Sequence, residues 1–174
     1  MAVLRIWAKL NNIERRLEKV TLSLGIIVLA MFLIANAIGR KVGLLLYFVD
    51  ELATFLVIFI TFIGVSYAVR RGSHIRMEAV YDFMPKKIQK VMMLTISFGS
   101  ALVMFWLAYL ATSYVLQAYN WGHMSHTLRI PYWIGYVVIP LGLFLAGIHY
   151  VLAFVKNILE KEVWVSFEKQ SGYK

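Results

Sequence analysis

The order of apolar and charged positions divides this chain into a short patterned start and four long apolar runs. Residues 3 to 20 place Val3, Ile6, Trp7, Leu10, Ile13, Leu17 and Val20 at helical spacing, with Arg5, Lys9, Arg15, Arg16 and Lys19 on the remaining surface. That spacing predicts an amphipathic helix over 3–19. Trp7 on its apolar side suits a helix lying at a membrane interface; a short cytosolic helix docked on protein is the alternative. Beyond it, four stretches contain no Asp, Glu, Lys or Arg: Val20 to Gly39, Leu52 to Val69, Val91 to Leu128 and Ile130 to Val155. Hydrocarbon cannot hydrogen-bond a backbone, so a spanning segment is a helix or part of a closed barrel, and a helix needs roughly 20 apolar residues to cross. Period-2 alternation is absent. The pattern therefore predicts an all-α integral membrane protein with four transmembrane helices, about 20–39, 50–69, 91–119 and 130–155.

Two of these runs exceed one crossing. Residues 91–119 would measure about 43 Å as a helix and 130–155 about 39 Å, against a hydrocarbon core of about 30 Å. Tilt, or protrusion into water, absorbs the excess. The first run imitates a signal peptide, with a basic start and "ANA" at 35–37. The long preceding segment with Glu14 and Glu18, and an apolar run that continues through Ile38, argue for an uncleaved span. No repeat or flexible linker divides the 174 residues, so a single membrane domain over 1–174 is expected.

Composition agrees, and charge adds topology. The chain is 61% hydrophobic and 16% charged, where soluble domains carry about 25% charged residues. Its net charge of +9 is unevenly placed. Five Lys or Arg precede the first run. Six (Arg70, Arg71, Arg76, Lys86, Lys87, Lys90) lie between the second and third, and four (Lys156, Lys161, Lys169, Lys174) follow the fourth. The other two connections hold only Arg40, Lys41 and Arg129. Fifteen against three predicts cytoplasmic termini and a cytoplasmic 70–90 segment. The positive charge thus reports orientation, with no nucleic-acid partner implied.

The first outer connection, "RKVGLLLYFVDE", is unusually apolar for a loop, which predicts that it dips into the interface or is covered by another protein. Asp50 and Glu51 are expected to face the positive end of the second helix's dipole, or to link to Arg40, Lys41 or a partner subunit. Tyr114, Tyr119, Trp121, Tyr132, Trp133 and Tyr136 form an aromatic belt where the third and fourth helices meet the outer face. Pro140 should kink the fourth span. Ala35 with Gly39 and Gly64 with Ala68 permit close helix contact.

Chemistry is sparse. An ion-coupled transporter or membrane enzyme usually keeps ionisable groups at membrane depth, and the four runs hold no Asp, Glu, Lys or Arg. There are no cysteines, hence no disulfide, thiolate zinc site or thiol nucleophile. His74 and His149 could in principle ligate a haem, and His123 with His126 a metal. A hydrogen-bonded or interfacial ring is the ordinary role for each, so no cofactor, metal or catalytic residue is expected. The cluster at 70–90 can bind anionic lipid headgroups or fix orientation. His74, Ile75 and Glu78 among its cations suggest a defined turn pairing Arg76 or Arg70 with Glu78 or Asp82.

The segment "DELATFLVIFITFIGVSYAVRRGSHIRMEAVYDFMP" resembles the small membrane subunit of tripartite ATP-independent periplasmic (TRAP) transporters, the DctQ family. The matching positions are Glu51, Gly64, Ala68, Arg70, His74, Ile75 and Glu78. A second block, "TLRIPYWIGYVVIPLG", matches at Leu128, Ile130, Pro131, Trp133, Tyr136, Pro140 and Gly142. Many relatives look like "HIxVD" where this chain reads "HIRME", with the acid kept in kind. The resemblance implies a subunit of the bacterial inner membrane without a catalytic site. Its implied partners are a larger membrane subunit, which holds the sodium and substrate sites and works by an elevator motion, and a periplasmic binding protein that delivers an organic acid of the C4-dicarboxylate or sialic acid class. The residues expected to carry subunit-interface or phospholipid contacts are Asp50, Glu51 and Arg129 at an outer rim, and Arg70, His74, Arg76 and Glu78 at a cytoplasmic hinge. A haem-bearing electron-transfer subunit and a stand-alone small channel are the competing classes.

Overall fold

Charged residues mark where a chain meets water, whereas helical hydrogen bonding continues until something caps it. In the computed structural model the first two helices accordingly run past their uncharged stretches at both ends, and the later ones at one end only. Helix α1 runs Ala2–Lys41, α2 Tyr47–Arg71 and α3 Lys86–Trp121, while α4 (Tyr132–Tyr136) and α5 (Val138–Leu159) share the fourth run. The structure describes residues 2–43, 47–71, 85–160 and 164, with side chains from residue 18 onward except that of residue 86. Among the described residues there is no strand; an isolated antiparallel bridge joins Met124 and Pro131.

The stretches long and apolar enough to cross a membrane are Glu18–Lys41, Tyr47–Arg71, Lys87–Trp121 and Tyr132–Leu159, in agreement with the four expected crossings. The amphipathic start is not a separate element: α1 is one helix of 40 residues, about 60 Å long. At 36 residues α3 is also longer than the expected 91–119. Its extra length comes from residues 86–90 at one end and Asn120 and Trp121 at the other.

The caps explain the ends. Helix α1 closes with Arg40 and Lys41 in its last turn, where cations suit the negative end of the dipole. Gly43 (φ +82°) then turns the chain, its N–H donating to the Arg40 carbonyl at 3.3 Å. Gly122 (φ +62°) ends α3 in the same manner, donating to Tyr119 O at 3.1 Å. Helix α2 carries Asp50 in its first turn and Arg70 and Arg71 in its last. The fourth run is divided at Val137. Pro140 offers no N–H to the Tyr136 carbonyl and its ring crowds that oxygen, so the expected kink takes the form of a division into two helices. This places Pro140 in the first turn of α5, where the missing N–H costs little.

The chain forms two compact units. The first comprises Met1–Gly64 and Val115–Val138. In it Gly25 of α1 faces Ile60 of α2 so closely that an added Cβ would lie 2.9 Å from the Ile60 side chain, and Gly135 of α4 leaves room for the Phe55 ring. Phe55 packs on Tyr132 at 5.9 Å between centroids, Tyr132 stacks on Tyr136 at 5.9 Å, and Tyr119 meets Trp133 edge-on at 5.6 Å. The second unit comprises Val65–Tyr114 and Ile139–Lys174. Here α5 presents Gly142, Ala146, Gly147 and Ala153 as buried small residues, which allow close helix approach. Phe105 lies against Gly147 and meets Phe144 edge-on at 5.6 Å, and Phe98 packs on Phe154 at 5.6 Å. The small pairs singled out by spacing contribute less: Ala35 is exposed, and Gly64 has only ordinary contact with Leu22 at 3.7 Å.

Candidate functional site

Polar side chains are few in this frame, and among the described residues two clusters of polar contacts stand out, one in each unit. In the first unit, Asp50 in the opening turn of α2 accepts from the Asn36 amide and from Arg40 Nη2 at 2.9 Å. Asn36 is buried, whereas the Arg40 and Asp50 side chains are about half exposed. The ion pair is thus a surface one laid over a buried amide. It realises the Arg40 option among the expected roles of Asp50.

Glu51, one residue on, serves a different segment. Its carboxylate accepts from the Ser125 hydroxyl, from the Thr127 N–H at 2.9 Å and from the Leu128 N–H at 3.0 Å. The loop so held is also tied internally. Ser125 N–H donates to Ile130 O at 2.9 Å, Arg129 N–H to Ser125 O at 3.2 Å, and Tyr132 N–H to His123 O at 3.1 Å. Ser125 is buried, while His123, His126, Thr127 and Arg129 around it are exposed. Arg129 has φ +53°, a left-handed conformation that a non-glycine residue adopts only where its surroundings fix it. Glu51 and Arg129, expected together at one rim, are therefore brought together through backbone: the carboxylate holds the turn that Arg129 closes.

In the second unit, Asn157 on the last turn of α5 is fully buried. Its Nδ2 donates to Ala153 O at 2.9 Å and Trp164 O at 2.6 Å, and its Oδ1 accepts the Trp164 N–H at 2.9 Å. One amide thereby pairs both backbone groups of Trp164. The ammonium of Lys156 lies 3.2 Å above the centre of the Trp164 ring, a cation–π contact. Lys90 at the start of α3 donates from Nζ to the Glu160 carbonyl at 2.8 Å, satisfying an acceptor just past the end of α5. Arg70 and His149 are both buried within this unit, as are Ser66 and Ser97. Arg71 instead lies over the exposed side of α2, its guanidinium 5.5 Å from the Tyr67 ring centre.

Of the residues expected at the cytoplasmic hinge, Arg70 is described and buried, and His74, Arg76 and Glu78, with the pairing to Asp82, lie outside the described residues. His123 packs edge-on against Trp121 at 5.5 Å. Among the described residues no three His, Asp or Glu side chains converge as metal ligands. Ser125, Asn36, Asn157, Trp164 and the Lys90–Glu160 contact are additions that spacing did not announce. Both clusters hold backbone in place, and neither presents a paired acid and base or an activated nucleophile.

Comparison with known proteins covers nearly all of this frame. Residues 20–160 match the family described as tripartite ATP-independent periplasmic transporters, DctQ component. The chain is 39% identical over 170 residues to the ectoine TRAP transporter small permease protein TeaB of Halomonas elongata, spanning 97% of this chain and 88% of that one. It is 27% identical over 100 residues to the C4-dicarboxylate TRAP transporter small permease protein DctQ of Rhodobacter capsulatus, covering 58% of this chain and 44% of that one. It is 21% identical over 139 residues to the isethionate TRAP transporter permease protein DctMQ of Oleidesulfovibrio alaskensis, covering 76% of this chain but 22% of that longer one. A four-span helical frame, with clusters that brace backbone and a family match across its length, belongs to a DctQ-type small permease subunit of a TRAP transporter.

Proposed function

We propose that this chain is the static scaffold of a sodium-coupled secondary importer in a bacterial inner membrane. It pairs with a large elevator-type membrane subunit that carries the sodium and substrate sites, and a periplasmic binding protein delivers the solute. The observation that carries this reading is electrical: no Asp, Glu, Lys or Arg lies in the interior of the four spans. A subunit without intramembrane charges lacks the groups with which transporters bind and couple ions. The apolar residues of the spans are also largely uncovered by the chain itself. In the most apolar part of each span only 11% to 33% of residues are buried, leaving wide surfaces for lipid and a partner. The DctMQ relative supports the partnership, since this chain aligns with only about a fifth of that permease.

The charge asymmetry supports cytoplasmic termini and a periplasmic Glu51–loop cluster. The first half of α1 then stands outside the hydrocarbon at the cytoplasmic face, because the helix is about twice as long as the core is thick. Asp50, Glu51 and Arg129 shape the periplasmic rim, and Arg70, His74, Arg76 and Glu78 the cytoplasmic hinge, as contacts to the large subunit and to lipid. Ectoine, isethionate and C4-dicarboxylates are all small polar molecules bearing a carboxylate or sulfonate. The cargo proposed here is accordingly a small organic acid or carboxylate zwitterion, recognised by the partner subunits.

The test combines purification and uptake. The chain, extracted from its native membrane, is expected to bring with it a membrane protein of many more helices. Deleting it is expected to abolish sodium-dependent uptake. Purified alone in vesicles with an imposed sodium gradient, it is expected to accumulate none of the three relatives' solutes. Accumulation by the lone chain, or uptake that survives the deletion, overturns the reading.

A further inference from the structure

The two sides of α3 meet different surroundings. Met93, Ser97, Ala101 and Ala108 are buried against the chain itself. On the opposite side Gly99, Leu102, Trp106, Tyr109 and Ser113 follow one another at alternating steps of three and four residues. That is the spacing of a seam packed by a second, slightly inclined helix. Among the described residues the seam is left uncovered: Trp106 is 65% and Tyr109 67% exposed, and a Cβ added at Gly99 would meet no atom within 4 Å. A glycine at such a contact lets two helix backbones approach closely in a membrane.

Depth decides what covers the seam. Trp106 lies 16 residues beyond Lys90 and 15 before Trp121, in the middle of the uncharged part of the helix. Ser125, four residues past the end of α3, is bonded to Glu51 near the start of α2, so that end does not stand far out of the bilayer. Counted from Trp121, Tyr109 is about 18 Å and Trp106 about 22 Å along the axis, and tilt brings both nearer to the mid-plane of a core about 30 Å thick. Trp and Tyr belong by preference to the membrane surfaces, where the indole N–H and the phenol O–H find water. Tyr114, Tyr119 and Trp121 of the same helix follow that preference. Trp106 and Tyr109 do not. Their rings lie 6.4 Å apart between centroids, and neither the Trp106 Nε1–H nor the Tyr109 hydroxyl makes a hydrogen bond within the described residues. Both are too deep to snorkel to water, and hydrocarbon tails hold no acceptor. A protein segment supplies acceptors at that depth.

We propose that the 99–113 face of α3 is the docking surface for a helix of the large membrane subunit. That helix offers a carbonyl, hydroxyl or amide oxygen to the Trp106 N–H and the Tyr109 hydroxyl, and brings its backbone close to Gly99. The inference rests on the partnership proposed above. The occupant is a different segment and not a second copy of this chain, because the chain aligns with about a fifth of the DctMQ permease, and the remainder of that polypeptide is the neighbour joined to it.

The test uses the complex purified through this chain in mild detergent. With the photoreactive residue p-benzoylphenylalanine in place of Leu102 or of Ser113, irradiation is expected to join this chain to the large subunit. Gly99→Leu adds a side chain where the chain itself has open space, and is expected to lower the large subunit recovered per copy of this chain about tenfold, the effect of overpacking a contact. Trp106→Phe and Tyr109→Phe keep a ring and remove one hydrogen-bonding group each. Either is expected to weaken the complex about threefold, the worth of an average hydrogen bond between membrane helices. Irradiation products with lipid alone, or with a second copy of this chain, from a preparation that retains the large subunit overturn the proposal. Undiminished recovery of the large subunit with Gly99→Leu does the same. If the unaltered chain brings down no large subunit, the partnership itself is overturned, and this inference with it.

Discussion

Glu51 and Asn157 each hold a piece of backbone that no helical ladder serves, but one does so as a carboxylate among exposed neighbours and the other as a fully buried neutral amide. The backbone presents different faces to them. Around Glu51 two N–H groups and a hydroxyl point inward, so an acceptor-only group with a full charge suffices, and nearby water shares its solvation. At Asn157 one residue offers both its N–H and its C=O to a side chain that is itself fully buried. A charged side chain could answer only one of those groups and would pay for its desolvation. The amide answers both. Chemistry at each clamp thus follows from what the backbone offers and how dry the place is, while the two clamps do the same mechanical task.

That comparison predicts its largest effect at the dry site. Asn157→Ala strands the Trp164 N–H and C=O, at about 1–3 kcal/mol for each, and because Trp164 is only half-buried a loss at the low end of the summed range, about 2–4 kcal/mol, is expected. Thermal melting of the purified complex in detergent checks it. Asn157→Asp keeps an acceptor for the Trp164 N–H but removes the donor, and is expected to destabilise as well. An Asn157→Ala protein that melts with the wild type would show that the buried amide is not bracing Trp164.

Glu51→Gln is expected to act locally. The amide retains one acceptor oxygen but turns an NH2 towards donors, so the turn at 125–130 loosens while the helices persist. Because the chain has no cysteine, His126→Cys supplies a single reporter in that turn. Its reaction with a membrane-impermeant maleimide is expected to quicken several-fold in the Glu51→Gln background, with little change in melting. An unchanged labelling rate would break the claim that the carboxylate fixes this turn. Labelling from the periplasmic side also tests the proposed orientation.

How far the pattern of residues foretells these clamps depends on the distance to their partners. Four crossings in order are legible because hydrocarbon forbids both charge and open backbone, and both rules leave long marks in a sequence. Helix ends are less so: Lys86 to Lys90 look like a loop beside an apolar run, yet they wind into α3, with the Ile88 and Gln89 N–H groups donating to the Pro85 carbonyl. Asp50 and Arg40 are ten residues apart across one turn, and their link is among the options that spacing offers. Glu51 meets Ser125, Thr127 and Leu128 from 74 to 77 residues away, and nothing local specifies which turn of the chain will reach it. Asn157 has a near partner, but beside Lys156 at a helix end it reads as an ordinary solvated residue. Only the position of Trp164 against the end of α5 makes it a clamp.

A smaller effect is expected at Lys90. Its ammonium donates to the Glu160 carbonyl at an exposed position, where water replaces a lost partner readily. Lys90→Met should lower stability by about 1 kcal/mol or less. Since the acceptor is an uncharged carbonyl, the loss should depend only weakly on salt. A loss as large as that of Asn157→Ala would mean that burial is not what separates strong clamps from weak ones.

The smallest effect belongs to Arg40, and it sharpens the comparison most. Its pair with Asp50 is solvent-exposed on both sides, and such pairs contribute about 0–1 kcal/mol and weaken with salt. Arg40→Gln is therefore expected to fall at the low end of that range and to vanish at high ionic strength. Asp50→Ala should cost more, because the same carboxylate accepts from the buried Asn36 amide, and a stranded buried donor costs about 1–3 kcal/mol whatever the salt. A double-mutant cycle separates the two parts: the Arg40–Asp50 coupling should be small and salt-sensitive, and the Asn36–Asp50 coupling larger and salt-insensitive. If both couplings scale alike with salt, Asn36 is reached by water, and the exposed and buried halves of this cluster differ less than their geometry implies.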